Sequence, residues 1–192
     1  LKSHDIEYRI DAAGLKAVIV TDDDDIIQSF EGAGNIDKLA CRFTVNGHRD
    51  GWLDFDRDLE GCSDVWERVP TKSTDRFLMY FTSGTSDNPK MVLHSHRYAL
   101  GHLMTAKHWH QVDPEGIHYT VSDTGWGKSV WGALYGQWIM ESAVFVYEYD
   151  KFEPHEIMDM IEKHRITTFC CPPTMFRLYL NAGLEGHDLS SL

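Results

Sequence analysis

The alternation of short apolar runs with amphipathic segments from residue 77 onward is the feature that most constrains the fold. Strand-like runs rich in β-branched and aromatic residues are separated by segments whose apolar residues recur at helical spacing. The predicted strands are 77–81, 91–93, 118–121, 143–147 and 167–171. Helices are predicted at about 96–108, 127–140, 154–164 and 175–180. Because strands that alternate with helices form βαβ units, we predict an α/β fold with a largely parallel sheet flanked by helices.

The pattern is weaker in the first part of the chain. A helix is expected at the start, followed by a buried strand at Ala17–Thr21, whereas 32–63 is predicted to be loop with short helices. The run Asp22–Asp25 could indicate a metal site, but a solvated turn that caps the next helix is the preferred interpretation. We therefore assign residues 1–75 to part of a first α/β subdomain and residues 76–192 to a second one.

Composition excludes several classes of protein. A chain of 192 residues with 42% hydrophobic residues can form a globular core. The net charge of −12 has the wrong sign for binding nucleic acid. None of the four cysteines has the spacing of a zinc site, so free thiols in a reducing compartment are expected, and a cytoplasmic location with them. No window has the roughly 18 apolar residues that a transmembrane segment needs.

A polar loop directly after the strand 77–81 has the composition of a phosphate-binding site. Glycine lets the backbone approach a ligand, hydroxyl groups and backbone N–H groups can donate hydrogen bonds, and a lysine adds positive charge. The loop lacks the spacing of a Walker motif. An ordinary turn rich in Ser, Thr, Asn and Pro remains the alternative. Its residues are Thr82, Ser83, Gly84, Thr85, Ser86, Asp87, Asn88, Pro89 and Lys90.

This loop resembles the signature loop of the adenylate-forming superfamily, whose pattern is T-S-G-[ST]-[ST]-G-x-P-K. The subgroup that it resembles most is the medium-chain acyl-CoA and acetyl-CoA synthetases. Further segments resemble that subgroup in the same order along the chain: Met91–Val92, His94–His96, Ser122–Trp126, Phe169–Thr174 and Asp188–Leu192. The sequence is therefore identified as resembling part of the large N-terminal domain of such an enzyme, with the C-terminal domain absent.

The resemblance implies a two-step reaction. ATP and a carboxylic acid would give an acyl-adenylate and pyrophosphate, and the thiol of CoA would then displace AMP. It places the nine loop residues around the β- and γ-phosphates, with Lys90 and Thr85 in catalytic roles and Mg²⁺ as the expected metal. Trp126 is placed at the lining of the acyl pocket, while Trp131 and Trp138 are expected to be packing residues.

One position departs from the pattern, because Asp87 stands where the family has its second glycine. Asp tolerates left-handed torsions better than most residues, so the turn can be kept. A carboxylate about 5 Å from a phosphate would cost on the order of 3 kcal/mol at an effective dielectric constant near 20. We therefore expect the Asp87 side chain to face solvent.

Three alternatives stay open. One keeps the family and changes the substrate, which gives an adenylation domain for an amino or aryl acid. Another is a histidine-based metal site around His94 and His96, although no complete ligand set is recognisable in the sequence and none is assigned. A third is a non-catalytic nucleotide-binding domain. Because the family's later motifs are not found in this sequence, we expect residues 1–192 alone to be inactive.

Overall fold

The computed structural model describes residues 1–82, 88–149 and 151–192. Within these ranges the chain forms two compact units, Leu1–Pro70 and Thr71–Leu192. The assignment of residues 1–75 and 76–192 to two subdomains of one larger domain stays a prediction.

The unit Leu1–Pro70 is a small parallel sheet with helices. Its strands are in the order β1-β2-β3, and all pairs are parallel. The core is formed where Ile6 and Ile10 of the first helix meet Ala33 and Leu39. The elements are α1 Ser3–Ala13, β1 Ala17–Thr21, α2 Asp24–Glu31, a 3₁₀ turn at Ile36–Lys38, β2 Cys41–Val45, β3 Leu53–Asp54 and α3 Phe55–Glu60.

The acidic run after β1 caps a helix, as predicted. The Asp23 side chain accepts a hydrogen bond of 3.0 Å from the backbone N–H of Ile26 in the first turn of α2. Asp22 and Asp24 both form ion pairs with Arg49, which lies between β2 and β3. These contacts explain the run by local structure, since side-chain caps satisfy N–H groups that have no partner within the helix.

Two predictions for this unit were wrong. The region 32–63 contains β2, the central strand of the sheet, rather than only loop and short helices. The side chain of Thr44 in this strand is buried, and its hydroxyl donates to the carbonyl oxygen of Gly47 at 2.9 Å. The strand β1 is not buried on both faces: Val18 packs against the core, but Ile19 on the opposite face is 56% exposed.

The unit Thr71–Leu192 contains a hairpin and a parallel sheet. The parallel sheet has the order β7-β6-β8 and packs against a core centred on Tyr119, Ile157 and Ile161. The elements are β4 Arg76–Thr82, β5 Lys90–Ser95, α4 Arg97–Met104 followed by a π-helical turn at Thr105–Trp109, β6 Ile117–Thr120, α5 Gly127–Ala133, α6 Tyr135–Ile139, β7 Ala143–Phe145, α7 Pro154–His164, β8 Thr168–Cys170 and α8 Pro173–Ala182.

Most of the predicted elements of this unit are confirmed, with three differences. The strands β4 and β5 pair antiparallel, because the segment between Thr82 and Lys90 is shorter than the dozen or so residues that a parallel crossover needs. The helix predicted at 127–140 is divided at Leu134 into α5 and α6. The strand predicted at 143–147 ends at Phe145. The α/β fold with largely parallel sheets flanked by helices is confirmed.

Candidate active site

Thr82 and Lys90 stand at the mouth of the predicted phosphate loop. They are the last residue of β4 and the first of β5, and they face each other in the antiparallel register. The Thr82 hydroxyl lies 3.4 Å from the carbonyl oxygen of Lys90, to which it donates. Both residues are exposed. Because directly paired residues point to the same face of a sheet, the Thr82 hydroxyl and the Lys90 ammonium group share one face of the hairpin.

The rest of the loop is described in part. Asn88 is exposed and Pro89 is half-buried, and both make contacts with neighbouring groups. Five of the predicted site residues lie outside the described ranges: Ser83, Gly84, Thr85, Ser86 and Asp87. Their roles, including the orientation of the Asp87 carboxylate, stay predictions.

The same face of the hairpin packs against the start of α5. Tyr80 precedes Thr82 by two residues and therefore shares its face of the strand. A Cβ atom placed on Gly127 would lie 3.6 Å from the Tyr80 ring, which is ordinary van der Waals contact. Gly127 follows Trp126 directly, so the hairpin that carries Thr82 and Lys90 lies beside the residue that was predicted to line the acyl pocket.

Trp126 is held at the end of a tight turn. The Asp123 carboxylate accepts from the backbone N–H of Gly125 at 2.7 Å, and the Asp123 carbonyl accepts from the N–H of Trp126 at 3.0 Å. The Trp126 carbonyl in turn accepts from the Ser129 hydroxyl at 2.8 Å. These bonds fix the backbone, while the indole is 71% exposed. The structure therefore places the Trp126 side chain at the surface and not in the core.

Trp126 borders a cleft of about 520 Å³ at the carboxyl ends of two parallel strands. Val121 follows β6, and Pro172 and Pro173 follow β8. The cleft is also lined by Ser122, Asp123, Lys128, Tyr149 and Met175. In open α/β sheets, ligands bind in crevices at this end of the strands. Its walls offer both apolar surface and a few polar groups, which is the usual composition of a small-molecule site.

Sequence reasoning missed Lys128 and Tyr149. One signal was available for Lys128, since it is the only charged residue between Asp123 and Glu141, a segment that is otherwise apolar or neutral. Tyr149 gave no signal, because it reaches the cleft from an irregular segment after β7. Burial first, and the nearby charge of Asp123 second, raise the pKa of the Tyr149 hydroxyl, so Tyr149 remains a neutral hydroxyl at the pH of the cell.

A buried polar network joins the two strands beneath the cleft to α5. The His118 side chain has no exposed surface. Its Nδ1 lies 2.8 Å from the Thr168 hydroxyl, and its Nε2 lies 2.8 Å from the carbonyl oxygen of Gly132 and 2.9 Å from the Thr120 hydroxyl. Gln137 donates to the same carbonyl at 2.7 Å. Burial, with a smaller effect of His110, lowers the pKa of His118 to about 4, so the ring is a neutral structural group.

The two tryptophans that were predicted to be packing residues differ from each other. Trp131 stacks on His102 and His110, with ring centroids 6.0 and 5.9 Å away. Burial lowers the pKa of both of these histidines. Trp138 is 59% exposed and has no such environment within the described ranges. Aromatic packing therefore explains Trp131 but not Trp138.

The two histidines of the alternative metal site contact aromatic rings. His94 lies 4.5 Å from Tyr98, and His96 stacks on Phe77 at 4.5 Å, both measured between ring centroids. Within residues 1–82, 88–149 and 151–192, no group of three or more His, Cys, Asp or Glu side chains is arranged to hold a metal ion. The four cysteines carry free thiols. No helix in these same ranges has the length and apolar character to cross a membrane.

Comparison with known proteins places these features in a family. The family model of the AMP-binding enzymes matches residues 1–192. The mitochondrial acyl-coenzyme A synthetase ACSM3 of Homo sapiens is 31% identical over 195 residues, and ACSM5 of Homo sapiens is 34% identical over 201 residues. Each match covers 100% of this chain and 33% of the relative. The chain thus spans about a third of the length of these relatives.

Solved structures show the same fold. The anthranilate CoA ligase AuaEII, solved in complex with anthranoyl-AMP, superposes with a TM-score of 0.85 at 21% identity, covering 100% of this chain and 38% of that one. An acyl-CoA synthetase of Brucella canis gives a TM-score of 0.81 at 23% identity, covering 95% of this chain and 33% of that one. With a family model that matches from end to end and relatives above 30% identity, this chain belongs to the family of AMP-binding enzymes.

Proposed function

We propose that this chain is the part of an ATP-dependent acyl-CoA synthetase that holds the polyphosphate of ATP next to the acyl group. The reaction would join a carboxylic acid to AMP with release of pyrophosphate, and CoA would then take the acyl group as a thioester. The family membership supports an AMP-binding enzyme, and the names of the relatives support acyl-coenzyme A synthesis.

One observation carries this proposal. The hairpin face that bears Thr82 and Lys90 packs, through Tyr80, against Gly127 at the edge of the Trp126 cleft. Formation of an acyl-adenylate requires the carboxylate of the acid to reach the α-phosphate of ATP. If the loop binds the phosphates of ATP and the adjacent cleft binds the acid, the two substrates are held within reacting distance of each other.

The roles of the loop residues follow from charge. Pyrophosphate gains negative charge as it leaves. Lys90 lies on the same hairpin face as the Thr82 hydroxyl, and its ammonium group would stabilise this charge. Thr85, Ser83 and Ser86 would supply further hydroxyl donors, with Gly84 allowing close approach of the backbone. The resemblance to the adenylate-forming enzymes implies Mg²⁺ as a partner of the polyphosphate, where it would neutralise negative charge as pyrophosphate leaves.

The test is acid-dependent release of pyrophosphate from ATP by the intact protein. Lys90→Met should lower kcat/KM by about 100-fold, as expected for loss of one preorganised charged group that stabilises the transition state. The matched control is Lys163→Met, which removes an exposed lysine from α7. A Lys90→Met protein with unchanged kcat/KM would contradict the proposed role of the loop.

Product analysis separates the remaining alternatives. Formation of a thioester when CoA is added supports the synthetase, whereas an adenylate that persists in the presence of CoA indicates an adenylation domain. A panel of straight-chain, aryl and amino acids then defines the acid. If no acid in the panel stimulates pyrophosphate release, a non-catalytic nucleotide-binding protein becomes the better interpretation.

A further inference from the structure

Lys128 is a cation without a carboxylate partner in the part of the chain that is described. Two other lysines do have such partners: Lys38 pairs with Asp11, and Lys151 pairs with Glu153, each at 2.6 Å. Lys128 is half-buried and lines the cleft beside Trp126. A positive charge at the wall of a cleft is stabilised by an anion that enters and forms charge-assisted hydrogen bonds with it.

The position of Lys128 in α5 gives no reason for a lysine there, because its charge does not stabilise the helix. It is the second residue of α5, in the first turn, where a cation opposes the helix dipole. A neutral or acidic residue would stabilise this turn better. The stem of Lys128 follows the helix, since its Cγ lies 3.6 Å from the position of a Cβ atom on Gly132.

The charge of Lys128 reaches the carboxyl end of β8. Burial raises the pKa of the Cys170 and Cys171 thiols, to about 11 for Cys171, and the Lys128 ammonium group acts on both in the opposite sense. The same charge, together with the larger effect of burial, lowers the pKa of His110. Lys128 therefore contributes positive charge to the part of the cleft that is formed by the carboxyl ends of β6 and β8.

The other charged group of the cleft, Asp123, is already engaged in the local fold. Its carboxylate accepts a hydrogen bond from the N–H of Gly125 at 2.7 Å, and its negative charge contributes to the raised pKa of Tyr149. An anion that enters the cleft is repelled from the Asp123 side and attracted to the Lys128 side. The apolar walls at Trp126 and Met175 are left for a hydrocarbon group.

We propose that Lys128 binds the carboxylate of the acid substrate and so determines the preference of the cleft for acids over neutral molecules of the same shape. This inference rests on the proposed function and adds the group that recognises the acid. An ammonium group offers three donors, and a carboxylate offers acceptors on both oxygens. Such charge-assisted hydrogen bonds are stronger than neutral ones, most of all where the pair is shielded from water.

The experiment compares Lys128→Met with Lys163→Met in the intact protein. Methionine keeps the length and helix propensity of the stem without the charge. With Lys128→Met, the KM for the acid should rise by at least about 10-fold, as for loss of a hydrogen bond to a charged group, while the KM for ATP stays unchanged. Lys163→Met should change neither value.

A binding measurement separates recognition of charge from a change of shape. Wild-type protein should bind the acid more tightly than its primary amide, and Lys128→Met should weaken binding of the acid while leaving binding of the amide unchanged. Equal weakening of both ligands, or a rise in the KM for ATP alone, would overturn the inference. If wild-type protein shows no acid-dependent pyrophosphate release, the proposed function itself fails; if release occurs but Lys128→Met leaves the KM for the acid unchanged, only the role of Lys128 fails.

Discussion

His118 offers a direct test of how the cleft is supported, because its protonation must be coupled to folding. The ring is buried beneath the cleft and joins β6, β8 and α5 through Thr168 and the carbonyl oxygen of Gly132. A carbonyl can only accept, so Nε2 carries the proton and Nδ1 accepts from the Thr168 hydroxyl. A second proton would place a full charge in this site, with the His110 ring only 5.0 Å away.

The size of the effect follows from the lowered pKa. Burial brings the pKa of His118 from 6.5 to about 4 in the folded protein, so the unfolded chain binds this proton more readily. The stabilising contribution is therefore complete above pH 6.5 and is lost as the pH falls towards 4. One pKa unit corresponds to about 1.36 kcal/mol, so this one residue should remove about 3 kcal/mol of stability over that range.

The assay is urea unfolding followed by tryptophan fluorescence between pH 8 and pH 4, for wild-type protein and His118→Gln. At pH 8 the variant should be less stable by about 1–3 kcal/mol, because its amide cannot satisfy all the partners of the ring. At pH 4 wild-type protein should have lost about 3 kcal/mol relative to the variant, so the two should be equally stable or the variant more stable, since glutamine does not titrate. A difference that stays constant across the pH range would refute the reasoning. The control is the surface variant His108→Gln, which reports any effect of net charge alone.

Four further substitutions test local features of the fold and the loop. Gly136→Ala should destabilise the protein by about 1–3 kcal/mol, because the new Cβ would lie 2.5 Å from the carbonyl oxygen of His102. Gly101→Ala, whose Cβ would have no neighbour within 4 Å, should stabilise the protein by about 0.5–1 kcal/mol. Chemical unfolding measures both changes. Asp23→Ala should cost about 1 kcal/mol in the same assay, since it removes the N-cap of α2. Asp87→Gly should leave the calorimetric affinity for ATP–Mg²⁺ within about 10-fold, and a gain of about 100-fold would show that the carboxylate faces the polyphosphate.

The elements that the sequence predicted well are those with strong local signals. The helix α7 has proline in its first turn and a buried face that contains Ile157 and Ile161, and it was found at its predicted place. The strand Ala17–Thr21 has the predicted bounds because β-branched residues fill it. Such segments need little help from tertiary contacts, so periodicity and propensity suffice to predict them.

The errors arose where tertiary contacts decide the structure. The strand β2 alternates apolar residues with Arg42 and Thr44, and only pairing on both sides makes it a central strand. The direction of β5 is set by the length of the loop before it, which the sequence did contain: seven residues between Thr82 and Lys90 allow a hairpin but not a crossover. The alternation in Cys41–Val45 is itself a strand signal, so both errors could have been avoided, and only the central place of β2 in the sheet required the structure.

The candidate site shows the same division. The loop Thr82–Lys90 could be found because its chemistry is contiguous along the chain. The cleft could not, since residues separated by about 50 positions, such as Val121 and Pro172, meet there only after the strands β6 and β8 have paired. Lys128 can be recognised as a cleft residue only in the folded structure, because a single lysine in a sequence is usually a solvated surface residue.

The acidity of the protein makes its few well-placed cations decisive. Both proposed substrates are anions, and the chain carries a net charge of −12, yet at physiological salt repulsion is screened beyond about 8 Å. Binding therefore depends on charges that contact the substrates directly. Lys90 is on the hairpin that carries Tyr80, and Lys128 follows Gly127 in α5, the glycine that packs against Tyr80. The losses of kcat/KM in Lys90→Met and Lys128→Met can be converted to free energies and compared with the loss in the double variant. If each lysine binds a different substrate, the two single losses should add to the double loss within about 0.5 kcal/mol. A strong departure from additivity would instead mean that both lysines contact one anion, and the division between a phosphate loop and an acid cleft would have to be redrawn.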